Sequence, residues 1–167
     1  LPFFKFKLPR KEMIKPLVLF SLTMGVGTYV SMYFALERLT IVAPIIIGAQ
    51  LSIPFGILLS YFFLKDNISI NRIILIIISF LGIIIIAYDP RIIDDKIAVI
   101  LIVTMAFFYA LSNMLARVMN EVDTPVMNGW HGLISFVPII SLSLYFEGNP
   151  IQLLEGINNV TIFSILH

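Results

Sequence analysis

Seven residues of this sequence stand inside otherwise apolar runs and carry a polar group or a backbone constraint: Tyr29, Tyr33, Gln50, Pro54, Tyr109, Asn113 and His131. Tyr29 and Tyr33 are four apart, as are Tyr109 and Asn113, so each pair shares one helix face. Gln50 and Pro54 repeat that spacing. Proline has no N–H, so in a continuous helix the Gln50 carbonyl loses its partner. A side-chain amide and a bare carbonyl then stand at the same depth. The chemistry these groups offer is recognition: hydrogen bonds from Gln50 and Asn113, and tyrosine ring faces for apolar or cationic groups. Two readings of Gln50 and Pro54 are open. One is a kink healed by a neighbouring helix, through Tyr29 or Asn113. The other is a wet cavity that takes a small molecule. His131 is the one ionisable side chain, tyrosine apart, well inside such a run. It either joins two helices or contacts a ligand, and Trp130 beside it reads as an interfacial anchor.

Catalysis has little to draw on. There is no H-E-x-x-H, no paired carboxylate within an apolar run, and no glycine-rich phosphate loop leading to Lys-Ser/Thr. The chain has no cysteine, which removes disulfides, thiolate metal sites and thiol nucleophiles. His131 and His167 are isolated and make no metal site, so no metal and no cofactor are expected. A membrane-embedded hydrolase would rest on His131 and a serine alone. A net charge of +1 supplies no field for nucleic acid, and no nucleic-acid partner is expected.

The surroundings of these residues are hydrocarbon-like. Of 167 residues, 59% are hydrophobic and 13% charged. A soluble domain is about half apolar and about a quarter charged. Five runs nearly free of charge stand out: 16–36, 39–64, 73–88, 97–116 and 126–146. A helix needs roughly 20 apolar residues to cross the bilayer core. The third run is short, and Ile70 with a snorkelling Arg72 extends it. A further run starts near Val160. Ile and Val would suggest strands in water, but backbone groups in lipid must pair internally, and long unbroken runs then mean helices. A barrel would alternate polar and apolar residues, and I-I-L-I-I-I-S-F-L-G does not. The expected fold class is an all-α polytopic membrane protein. The sequence begins at Leu1 and stops inside an apolar run, so we read it as a piece of a longer protein.

The connections hold the charges, which sets topology. The N-terminal arm, the second connection and the fourth contribute Lys5, Lys7, Arg10, Lys11, Lys15, Lys65, Arg72 and Arg117 to one side. Arg38, Arg91 and Lys96 lie on the other. The positive-inside rule puts the first set in the cytoplasm. Two ridges of small residues recur every four positions: Gly27, Ser31 and Ala35 in the first run, and Gly48, Ser52, Gly56 and Ser60 in the second. Such ridges admit close helix–helix approach, and both are expected to make one.

In this setting Gly27–Tyr88 resembles the EamA domain of the drug/metabolite transporter superfamily. That family has a span ending Y-x-A-L, then a span with a mid-helix proline and a G-E-R-L-S-like turn, then L-G-x-x-L-I-x-x-G. Here stand Tyr33-Phe34-Ala35-Leu36, Pro54, Leu64-Lys65-Asp66-Asn67-Ile68-Ser69 and Leu81-Gly82-Ile83-Ile84. The second copy's A-x-x-W-A-L-Y-x-x-x-x-R is matched by Ala106-Phe107-Phe108-Tyr109-Ala110-Leu111-Ser112 and Arg117. Asp66 replaces the usual Glu, Tyr109 the usual Trp, and the second glycine of the third span is absent. The resemblance implies part of a ten-helix bundle of two inverted five-helix repeats. Residues 1–15 would be a cytoplasmic basic arm and 16–88 the last three helices of the first repeat. Residues 89–96 would form an extracytoplasmic loop and 97–167 the start of the second repeat. It further implies a secondary transporter in the inner (cytoplasmic) membrane, working by alternating access. The cargo class is a small organic metabolite: an amino acid, a nucleotide-derived metabolite or a drug-like compound. The seven residues named first are the expected lining of its cavity. Expected partners are the substrate, the lipid bilayer and a second copy in a homodimer. A non-transporting membrane scaffold is the other reading.

Overall fold

The computed structural model describes residues 9–39, 41–87 and 95–146. The start of the arm, the run from Val160 and most of the third connection lie outside these. Every regular element among the described residues is helical. α1 (Lys11–Ser21) continues through a π-helical stretch (Leu22–Thr28) into α2 (Tyr29–Arg38). α3 (Ala43–Ala49) and α4 (Ser52–Leu64) form the second crossing, α5 (Ile70–Ala87) the third, α6 (Lys96–Val118) the fourth and α7 (Thr124–Phe146) the fifth. Four helical stretches are long and apolar enough to cross a membrane: Lys11–Arg38, Ala43–Leu64, Lys96–Val118 and Thr124–Phe146. α5 does start at Ile70, as the short third run required. The first helix starts at Lys11, so the basic arm is helical for its last five residues. Pro16 is accommodated near its beginning, where only the Glu12 carbonyl goes without its helical donor.

α6 is the hub. Its buried residues Ala98, Ile102, Met105, Ala106, Ala110 and Met114 recur at helical spacing along one stripe. Three of them are alanines, so neighbours come close. The stripe packs in sequence against Ala35, Leu39 and Ile45, then against Leu59. Toward the other end Met119 packs with Leu17 and Phe20. α7 lies against α1 and the π-helical stretch, while α5 packs mainly on α3 and α4. α5 is thus exposed nearly all round, with Ile76 its one buried hydrophobic residue among those described.

Two contacts fix which connections lie together. Arg10 pairs with Glu121 at 3.1 Å, joining the start of α1 to the α6–α7 turn. Arg38 pairs with Asp95 at 3.2 Å, joining the end of α2 to the start of α6. The Arg117 guanidinium donates to Ser60 Oγ at 3.4 Å, which puts the ends of α4 and α6 side by side. The described basic residues therefore sort as the charge count sorted them. Arg10, Lys11, Lys15, Lys65, Arg72 and Arg117 stand at one end, with Arg38 and Lys96 at the other. Asp95 also caps α6, its Oδ1 accepting from the amides of Ile97 and Ala98 at 3.1 and 3.0 Å. The Ala98 amide foremost, then Arg38, hold its carboxyl below the usual carboxylate range.

Candidate functional site

The seven sequence-derived residues do not converge on one cavity. Tyr29 and Tyr33, both nearly half exposed, line a groove of about 330 Å³ between α2 and α7. Val30, Phe34, Ile139, Leu142, Ser143 and Phe146 complete it. Phe34 and Phe146 meet edge to face at 5.3 Å across its end. The groove is mostly apolar, with two phenols and one serine as its polar points. One feature beside it was missed in the sequence: Pro138, in the middle of α7. It deprives the Ile134 carbonyl of its helical donor, the same signal that had drawn attention to Pro54.

Asn113 lines a second and larger space, about 540 Å³, between α4, the α4–α5 connection and α6. Its walls carry Ser52, Ser60, Asp66, Arg72 and Arg117 beside Ile53, Gly56, Ile57 and Ile68. Neither arginine is among the site residues read from the sequence. Both gather here because α4 and α6 end at the same level and Arg72 opens α5 just beyond the turn. That turn is tight: Lys65 sits in the left-handed region, φ 56°, and the Asp66 amide donates back to the Ser60 carbonyl at 3.4 Å.

The expected bare carbonyl at Gln50 is not found. The chain breaks its helix there. α3 ends at Ala49 and α4 restarts at Ser52, so Pro54 falls in the first turn of α4, where a missing N–H is tolerated. The Gln50 carbonyl accepts from the Ile53 amide at 3.0 Å. Pro54 itself is fully buried, and Gln50 is exposed. The two therefore do not share a cavity wall. Tyr109 is on the exposed side of α6 and lines neither the groove nor the crevice.

His131 takes the interhelical role. Its Nδ1 lies 3.1 Å from Ser135 Oγ, and that hydroxyl donates its single proton to the Ser21 carbonyl at 2.9 Å. Nδ1 must then carry the proton and donate to Ser135. The chain His131–Ser135–Ser21 ties α7 to the end of α1. Phe20 adds an edge-to-face contact with the imidazole at 5.3 Å. The helix spacing of four between His131 and Ser135 was the available signal. Trp130 packs, partly buried, on the Leu17–Phe20–Met119 cluster. Opposite this network the π-helical stretch presents Gly25, where a Cβ would collide with Ser135 Oγ and come within 2.5 Å of its Cβ. Two residues on, a Cβ at Gly27 would meet the Phe108 ring at 2.5 Å. Thr23 Oγ1 donates back to the Leu19 and Phe20 carbonyls at the end of α1, and Thr28 Oγ1 donates to Thr23 O at 3.1 Å within the stretch.

No group of three or more metal-ligating side chains occurs among the described residues. No known protein family, curated protein or solved structure matches the chain.

Proposed function

We propose that the chain is part of a secondary transporter of a small organic metabolite, built as an EamA-type protein of the drug/metabolite transporter superfamily. In that reading ten helices form two inverted five-helix repeats in the cytoplasmic membrane, and the basic end of the bundle faces the cytoplasm. The observation that carries it is the groove between α2 and α7. It is a concave, chiefly apolar space with two tyrosine rings and a serine, at a depth where a soluble cargo would otherwise find only hydrocarbon. In alternating access Pro138 within α7 and the Gln50 break between α3 and α4 would serve as hinge points. Hydrolysis is the weaker reading, since the Ser135 proton points at the Ser21 carbonyl rather than at His131.

Counterflow in proteoliposomes, with a panel of amino acids, nucleosides and hydrophobic cations, tests transport. Accumulation of one class, with KM raised several-fold by Tyr29→Ala or Tyr33→Ala and unchanged by Tyr109→Ala, is expected. No accumulation of any class, or equal losses in all three variants, would count against it. The second reading, a non-transporting membrane subunit, is favoured by the exposed flanks of α5 and α7, which suit packing against further helices.

A further inference from the structure

We infer that the crevice between α4, the α4–α5 connection and α6 is a binding site for a phosphate group, carried by an anionic phospholipid at the bilayer surface. It does not depend on whether the protein transports anything. Arg72 stands on one wall and Arg117 on the other. The two ion pairs among the described residues are Arg10–Glu121 and Arg38–Asp95, so neither crevice guanidinium has a carboxylate partner, and neither does Asp66. Two cations against one carboxylate leave the space with one net positive charge. Arg117 spends one N–H on Ser60 and keeps the others. The hydroxyls of Ser52 and Ser60 and the Asn113 amide add donors along the same walls. A planar guanidinium fork matches phosphate oxygens in pairs, and two forks on opposite walls can clasp one group.

The rest of the lining says what the phosphate is attached to. Ile53, Ile57 and Ile68 make the crevice half apolar, and Ile53 is itself exposed. Gly56 contributes no side chain at all, and a Cβ there would meet nothing within 4 Å. A ligand with an anionic head and hydrocarbon tails fits that division: head between the arginines, tail along the isoleucines. The crevice also lies at the end of the bundle that carries Lys11, Lys15 and Lys65, where basic pockets between spans meet anionic headgroups.

Native mass spectrometry of the detergent-purified chain tests this with three probes: phosphatidylglycerol, phosphatidylcholine and inorganic phosphate. Phosphatidylglycerol should bind in preference to phosphatidylcholine. Arg72→Gln and Arg117→Gln should each weaken it about five- to tenfold, the worth of one interfacial arginine. Lys11→Gln, at the same end but outside the crevice, should leave it unchanged. The Arg72 side chain is exposed and makes no hydrogen bond or ion pair, so its variant reports on the ligand even if Arg117→Gln disturbs the contact with Ser60. If inorganic phosphate displaces phosphatidylglycerol and protects the protein from heat through Arg72, the site is a phosphate site but its ligand is soluble. Phosphatidylglycerol binding unchanged in Arg72→Gln, or reduced equally by Lys11→Gln, would overturn the assignment.

Discussion

Two ridges of small residues, written alike in the sequence, end in opposite surroundings. The ridge Gly27, Ser31 and Ala35 is closed. Gly27 lies under the Phe108 ring, Ser31 is buried, and Ala35 is sealed among Ala98, Ile102 and Met105. The ridge Gly48, Ser52, Gly56 and Ser60 closes at its two ends, where a Cβ at Gly48 would run into Ile102 and Ser60 is buried beside Arg117. Ser52, Gly56 and Ser60 all line the open arginine crevice. Small residues at every fourth position thus fix a face that can be approached closely. They do not fix what approaches it: α6 covers the first ridge along its length, whereas the second turns most of its members to the crevice beside α6.

That contrast can be broken by adding single methyl groups. Gly25→Ala should have the largest effect, because Ser135 Cβ cannot retreat without moving α7. A loss of about 1–3 kcal/mol is expected, in the range of overpacked cores. Gly27→Ala should follow, since the Phe108 ring can turn aside in part. Gly56→Ala should cost nothing and gain up to about 1 kcal/mol from helix propensity. Thermal unfolding in micelles checks all three, and equal losses at Gly27 and Gly56 would erase the distinction between closed and open ridges.

The next effect sharpens the same contrast with serines. Ser135→Ala takes the acceptor from His131 Nδ1–H and the donor from the Ser21 carbonyl, a loss of about 1 kcal/mol within a membrane bundle. Ser141 only donates to Val137 O in its own helix, at 2.8 Å, so Ser141→Ala should be neutral. The same unfolding assay would refute the interhelical role of His131 if both variants behaved alike.

The smallest effect lies at the far end, where Arg38, Asp95 and the α6 amides meet. The Asp95 carboxyl titrates below its ordinary 3.8, chiefly through the Ala98 amide and also through Arg38. Its contribution is therefore complete above about pH 4 and fades as the pH falls through the folded value. Asp95→Asn should lower the melting temperature slightly at neutral pH and flatten its fall between pH 5 and pH 3. A variant that keeps the acid slope would remove Asp95 as its source.

Much of the architecture was readable before any coordinates. Charges mark every turn because they cannot enter hydrocarbon, and so the five helices and the sorting of Lys and Arg by end were legible from Glu37-Arg38, Lys65-Asp66 and Arg117 onward. The site was less so. Gln50 and Pro54 were misplaced because a proline removes a hydrogen bond only if the helix runs through it, and here the helix restarts two residues earlier. The π-helical stretch has no spacing signature, since its wider turn is set by the clamp of Phe108 and Ser135 on Gly27 and Gly25. Arg72 and Arg117 are 45 residues apart in sequence, and only the shared level of two helix ends brings them onto one crevice.

The central position of Lys96–Val118 has a bearing on how the protein is made. The first and second crossings meet one another hardly at all except through that helix. A ribosome delivers it only after three earlier segments have entered the lipid. The first and second of them must wait there largely unjoined, their glycine and alanine faces bare. Joining of the first and second crossings is then timed by the arrival of the fourth, which packs against both.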